Sequence, residues 1–349
     1  MHSFIYASSL IALLTSSKSV YAGFSSSSST NIAVYWGQNS YGASSGSLEQ
    51  QNLATYCSNS DIDVIPMAFL TVVNGTGGQP ELNFANSGNN CTTFSGTALL
   101  DCPQIGDDIA TCQNTYGKTI LLSIGGATYT EGGFSSEEEA VSAANNIWAT
   151  FGPEQSGSSA LRPFGSSTVN GFDFDFESTV TNTAPFANQL RSLMDADTSG
   201  TQWMLTAAPQ CPYPDTSDNS MLNGTVSFDA IWVQFYNNYC GVQSYTDGSS
   251  TQNDFNFDTW DNWAKTVSAN PNVKVLLGVP ASSTAAGSGY ESASDLADVI
   301  NYSKTFSSFG GVMMWDASQA YANSGFLDGV ESDLTSSSKR VMRRGQRIQ

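Results

Sequence analysis

Three carboxylic acids alternate with three phenylalanines in the stretch Gly171-Phe172-Asp173-Phe174-Asp175-Phe176-Glu177. An extended strand sends successive side chains to opposite faces. Asp173, Asp175 and Glu177 therefore share one face, and the phenylalanines share the other. Burial and like charge both raise the pKa of such acids. A row of this kind suits general acid chemistry, in which one carboxyl stays loaded with a proton and a neighbour stabilises positive charge. We read it as the catalytic strand of a glycoside-cleaving barrel. Period alone also allows an ordinary amphipathic strand with its acids in water. A calcium loop fits poorly, because bulky aromatics stand between the acids.

The rest of the chain narrows the chemistry. Its single histidine is His2. That residue falls in 1–22, where an apolar core at 5–14 and the small-residue ending Val20-Tyr21-Ala22 predict a signal peptide. A mature chain without histidine excludes Ser-His-Asp and Cys-His catalysis and any histidine metal site. The work falls to Asp, Glu, Tyr and Trp. Residues 23–30 are a serine-rich leader, expected to be flexible.

Six cysteines remain: Cys57, Cys91, Cys102, Cys112, Cys211 and Cys240. An even count behind a secretion signal implies disulfides, although spacing does not choose the pairing. Sequons at Asn74, Asn90, Asn223 and Asn301 agree with a secreted chain. Of 12 basic residues, five crowd the last eleven positions, whereas all 31 acids lie between the leader and that tail. So acidic a body repels nucleic acid and anionic membrane and suits a neutral or cationic polymer.

Eight apolar runs read as strands: 31–37, 63–70, 118–126, 171–177, 202–209, 230–236, 274–281 and 311–317. Helical patterns lie between several of them, at 48–57, 105–116, 137–151, 186–194, 260–267 and 295–306. A last one at 326–334 could close the ring. Eight strands interleaved with helices predict a single-domain (β/α)8 TIM barrel over 31–334. The tail, 335–349, turns serine-rich and then basic and is expected to be disordered. In such barrels the site sits at the carboxyl ends of the strands. There the sequence places Tyr35-Trp36-Gly37-Gln38-Asn39, Gly125-Gly126, Asp175-Phe176-Glu177, Gln234-Phe235-Tyr236-Asn237-Asn238 and Trp315-Asp316. Polar and aromatic groups gathered at one end are what a sugar cleft needs.

These motifs resemble glycoside hydrolase family 18, and within it the class III (hevamine-like) chitinases and their fungal relatives. Residues 170–177, Asn170-Gly171-Phe172-Asp173-Phe174-Asp175-Phe176-Glu177, resemble the D-G-x-D-x-D-x-E signature, and Ser123-Ile124-Gly125-Gly126 matches S-x-G-G. Tyr35–Asn39, 207–212 and 232–238 are further matches. Asn170 stands where the family usually has Asp. By strand parity it faces away from the acid row, so a structural effect is expected.

The resemblance implies hydrolysis of β-1,4-linked N-acetylglucosamine with retention, the substrate's own acetamide acting as nucleophile. It implies Glu177 as the acid, its pKa raised by neighbouring acids, and Asp175 as partner of the acetamide N–H. Asp173 would share a proton with Asp175. Tyr236 would hold the acetamide carbonyl, with Tyr35 near the acid row and Trp315 as the stacking floor. Gln38, Gln234, Asn237 and Gly126 are the remaining substrate-binding candidates. It also implies the pairings Cys57–Cys112, Cys91–Cys102 and Cys211–Cys240. No cofactor or metal is needed. The expected partner is chitin or chito-oligosaccharide, with no nucleic acid and no membrane, for a secreted monomer. The alternatives are a silent chitin lectin or glycosidase inhibitor on the same fold, and an endo-β-N-acetylglucosaminidase.

Overall fold

The structure, a computed structural model, describes residues 23–336. The expected signal peptide and the basic tail beyond Ser336 lie outside the described residues. Eight parallel strands form the centre: β1 (Asn31–Val34), β2 (Val64–Val72), β3 (Thr119–Gly125), β4 (Gly171–Asp175), β5 (Met204–Ala207), β6 (Ala230–Gln234), β7 (Lys274–Pro280) and β8 (Phe309–Trp315). They pair in the order β1-β8-β7-β6-β5-β4-β3-β2, and β2 returns to β1 through Ala33 and Val64. The sheet is therefore a closed barrel. The helices are α1 (Leu53–Cys57), α2 (Pro103–Asn114), α3 (Glu137–Phe151), α4 (Thr183–Ala196), α5 (Asn219–Leu222), α6 (Phe257–Thr266), α7 (Ala293–Ser303), α8 (Ala317–Ala322) and α9 (Phe326–Thr335).

Both faces of a closed parallel sheet are covered, so its strands are apolar throughout. Strand parity then splits them between two cores. Outward side chains such as Val34, Phe172, Phe174, Val233 and Leu277 join one large cluster under the helices. Inward ones, among them Ala33, Leu121, Met204, Trp232, Leu276 and Met313, fill the barrel. The phenylalanines of the acid–aromatic stretch go outward, which sends Asp173 and Asp175 into the barrel. Asp173 is 0% and Asp175 3% exposed. Acids in water are thereby ruled out for these two.

Helix starts follow capping chemistry. Ser136 accepts from the N–H of Glu139 at the head of α3, and Ser292 accepts from that of Asp295 at the head of α7. The acids of the first turns lie at the positive end of the helix dipole. α5 and α8 were not anticipated, being four and six residues long. Nor was an excursion after β2, in which Glu81–Leu82 pairs antiparallel to β2 and Thr92–Thr93 pairs with Leu100–Asp101. Segments this short show no period to read.

Two expectations at the barrel's base are resolved by side-chain hydrogen bonds. The leader is anchored where flexibility was expected. The Phe24 N–H donates to Thr119 Oγ1, Ser25 and Asn31 bond to each other, and the Phe24 ring packs against the barrel interior. An aromatic with an apolar cavity mouth to cover overrides the serine-rich composition around it.

Asn170 belongs to a ring of clips at the amino ends of the strands. Its Oδ1 accepts from Ile120 N at 2.9 Å and from Gln113 Nε2 at 2.8 Å. Asp63 accepts from Ile32 N at 2.8 Å, and Asp229 from Leu205 N at 2.8 Å, in the same way. Each clip joins neighbouring strands. The position needs an acceptor oxygen, which amide and carboxylate both supply. Asn170→Ala should therefore lower unfolding free energy by about 1–3 kcal/mol, the cost of stranding a half-buried N–H. Asn170→Asp should cost less than about 1 kcal/mol. Urea unfolding of the two variants checks this, and equal destabilisation would refute it.

Candidate active site

Asp173 lies deepest, and its two oxygens collect hydroxyls from three other strands' worth of chain. Tyr35 Oη donates at 2.5 Å and Ser123 Oγ at 2.6 Å to Oδ2, and Thr206 Oγ1 donates at 2.7 Å to Oδ1. Trp232 Nε1 in turn donates to Tyr35 Oη at 2.9 Å. Burial pushes the Asp173 carboxyl up, and these three hydroxyls pull it back. The Tyr35 hydroxyl is held well above its ordinary pKa by burial and then by the Asp173 and Asp175 charges. It stays a donor at any working pH.

One step toward the mouth, Asp175 accepts from Gln234 Nε2 at 2.8 Å. The same Gln234 amide donates to Ala208 O at 2.9 Å, which fixes it against β5. The Asp175 carboxyl is raised well above its usual range by burial first, then by Glu177 and Asp173. Among the described residues no hydrogen bond joins Asp173 to Asp175. The charge of Asp173 is among the causes that raise Asp175.

Glu177 stands two residues beyond the end of β4 and is exposed at the cleft. Its pKa is raised by partial desolvation, not chiefly by the neighbouring acids as expected. The strand's parity still holds through Phe176, which is 2% exposed and packs outward on Phe174. Glu177 thus continues the row at its open end, where a carboxylic acid can meet an incoming molecule.

Asp175 and Glu177 share a groove of about 370 Å³ with Tyr236, Asn237, Gln234 and Trp315. Tyr236 is 7% exposed, and its hydroxyl has no protein partner among the described residues. Burial, then the Asp175, Glu177 and Asp316 charges, keep it protonated. Trp315 is half-buried, so it is not a barrel filler. It stacks on Phe69 at 5.8 Å and touches Tyr35 at 5.5 Å, which fixes its plane against the groove. Asn237, at φ 55°, spends its Oδ1 on the Gly287 and Ser288 N–H groups. That orients its Nδ2 as the available donor.

Two candidates have their polar groups engaged elsewhere. Gln38 Nε2 donates to Ala68 O and Asn83 O and so braces the β1 and β2 ends. Gly126 donates its N–H to Asp175 O and accepts from Tyr129 N. Its φ of +80° and a Cβ position 2.7 Å from the Phe69 ring require glycine. Ala127, next in the chain, is the residue on the groove.

Three lining residues were not foreseen, Ala127, Gln210 and Ala285, and Asn238 was placed at its strand's end without a binding role. Gln210 carried a readable signal, as a polar residue just past the end of β5. Ala285 carried none. Three disulfides are present, Cys57–Cys112, Cys91–Cys102 and Cys211–Cys240. The last ties the loop bearing Gln210 to the loop bearing Asn237 and Asn238. One exposed proton donor, one buried carboxyl beside it, a free tyrosine hydroxyl and an aromatic floor form a set able to break an acetal.

The chain is similar to known proteins over most of its length. Residues 31–289 match the model of glycosyl hydrolases family 18. The chain is 54% identical over 336 residues to a class III chitinase of Arthroderma benhamiae, covering 96% of this chain and 94% of that one. It is 52% identical over 326 residues to endochitinase 33 of Trichoderma harzianum, covering 93% and 98%. Among solved structures, a xylanase and alpha-amylase inhibitor protein from Scadoxus multiflorus superposes with a TM-score of 0.67 at 30% identity, covering 86% of this chain and 97% of that one.

The raised carboxyls set the sign of a stability prediction. Asp173, Asp175 and Asp218 lie above their ordinary values, and Asp63 is pushed up to about 7 by burial. Above the unfolded-state value of roughly 4, the folded chain then holds more protons than the unfolded one. Stability should fall as pH rises from about 4 through neutrality. Calorimetric melting across that range should show Tm declining, and a Tm that climbs steadily to pH 8 would contradict the assignment.

Proposed function

We propose that this chain, which belongs to glycosyl hydrolases family 18, is a chitinase that cleaves β-1,4-linked N-acetylglucosamine polymers with retention through the substrate's own acetamide. The observation that carries the mechanism is the pairing of an exposed Glu177, its carboxyl raised by desolvation, with a buried Asp175, with no second exposed carboxylate among the described residues that line the groove.

A sugar ring rests its apolar face on Trp315. Its acetamide carbonyl accepts from the Tyr236 hydroxyl, and its acetamide N–H donates to Asp175. Glu177 gives its proton to the glycosidic oxygen as the bond to the anomeric carbon breaks. The acetamide oxygen forms the new bond to that carbon, producing a cyclic oxazolinium ion. The carboxylate of Asp175, accepting from the acetamide N–H, stabilises this positive charge, and the charge in turn offsets the cost of its burial. Water then attacks the anomeric carbon as its bond to the acetamide oxygen breaks, which regenerates the acetamide, and the water gives a proton to Glu177, which restores the acid. Gln234 holds Asp175 in place throughout, and Asn237 Nδ2 serves a sugar hydroxyl.

Three disulfides, the sequons and the leader pattern at 1–22 support action outside the cell. Among the described residues the large exposed apolar groups are four tyrosines and one leucine, which supports a monomer. The fold likeness to an inhibitor keeps one second reading open to test: a binding protein without turnover.

Two measurements check the proposal. The protein should cleave chito-hexaose, and Glu177→Gln should reduce kcat by about 10³-fold or more while leaving oligomer binding near normal, since only the proton is lost. A Glu177→Gln variant of near-normal rate would remove Glu177 from its role, and a wild-type protein that binds without turnover would favour the binding reading. Fully deacetylated chitosan lacks the acetamide and should not be cut, and its efficient cleavage would refute substrate assistance.

A further inference from the structure

Behind the acid row lies a second pair of carboxyls that the cleavage mechanism does not use. Asp215 and Asp218 sit in the loop between β5 and α5, 5% and 0% exposed. Asp215 is richly bonded. It accepts from the backbone N–H groups of Gln210 at 3.1 Å, Ser217 at 2.9 Å and Asp218 at 2.6 Å. Asp218 is the opposite case, since neither of its carboxyl oxygens has a hydrogen-bond partner. The loop they build is a wall of the groove. Gln210 lines it, and Gln210 Oε1 accepts from Asn238 Nδ2 at 3.2 Å across the Cys211–Cys240 bridge.

Elementary electrostatics assigns the charge between the two. A buried carboxylate with no donor is far costlier than the neutral acid. Burial raises the Asp215 carboxyl, and the backbone N–H groups it receives pull it back toward the anion. We propose that Asp215 and Asp218 are a positioning pair for the cleavage reaction: Asp215 holds the Gln210 wall and one negative charge, and Asp218 holds the pair's proton. The pair touches no substrate. It acts through Asp175, whose protonated form a fixed negative charge nearby favours.

The groups acting on Asp218 agree with this. Burial is foremost, followed by the charges of Asp215, Asp175, Asp173 and Glu177, and none of these is cationic. From α4, which packs on α5, the nearest polar contact is Thr183 to Ser220 and carries no charge. In the other direction, Asp215 is among the charges acting on Asp175, alongside Glu177 and Asp173.

The kinetic test rests on the proposed chitinase reading and uses the full-length protein with chito-hexaose. Asp215→Asn removes the fixed charge. The acid it supports then loses its proton at lower pH. The alkaline limb of kcat/KM should move down by roughly half a pH unit, a loss of about threefold at a pH on that limb. Asp218→Asn replaces a neutral acid by a neutral amide, so the limb should stay in place. An unmoved limb in a folded Asp215→Asn, or equal movement in both variants, overturns the proposal. Absence of wild-type turnover would instead sink the chitinase reading.

A second measurement needs no activity and covers the case in which Asp215→Asn does not fold. The Tm advantage of Asp218→Asn over wild type should grow as pH rises from about 4, because the wild type must keep a proton that the variant does not need. A Tm difference independent of pH would show that Asp218 is not the protonated member.

Discussion

The barrel and its site share one interaction, the buried Asp173 carboxyl held by hydroxyls from outside its own strand. Tyr35 follows β1, Ser123 is on β3 and Thr206 is on β5, so one side chain of β4 links four parts of the ring. Trp232 on β6 adds a fifth through Tyr35. A carboxyl with no solvent contact is costly unless its lone pairs are filled. Here they are filled by groups that also fill the barrel. The core can therefore accept an acid, and once it does, the next acid along the strand is also constrained.

That constraint reaches Asp175 and then Glu177 by strand parity. Each step outward exchanges burial for access: Asp173 is sealed, Asp175 is nearly sealed, and Glu177 meets solvent. The gradient separates the roles. The inner carboxyls are tuned by desolvation and each other, whereas the outer one is free to reach a ligand. Phe172, Phe174 and Phe176 anchor the opposite face under the helices, which prevents the strand from slipping by one residue and reversing the row.

The groove's walls come from loops, and each loop is tied to a neighbour. Asp316 accepts from Ser40 N and links the β8 end to the β1 loop. Gln319 accepts from Ser282 and from Thr284, holding the β7 loop that presents Ala285. Cys211–Cys240 joins the β5 and β6 loops. A scaffold of this kind is compatible with quite different activities, as the fold likeness to a xylanase and alpha-amylase inhibitor shows.

Much of this was legible in one dimension. All eight strands were readable, because each is an apolar run bounded by turns, and the β4 row was readable because a period of two is a local property. Their carboxyl ends came out differently by one to three residues, since pairing in three dimensions decides where a strand stops. The acceptor role of Asn170 and the anchored leader were not legible, because each depends on partners far along the chain, and α5 and α8 are too short to show a period. Gln38 and Gly126 show the same limit: their positions at strand ends were clear, but their hydrogen bonds to Ala68 and Asp175 were not. The sequence by itself determined which residues could carry acid chemistry and which face of β4 they share. Only the closed barrel decided which acid is sealed and which is open, because burial is set by contacts among all eight strands and not by any one of them.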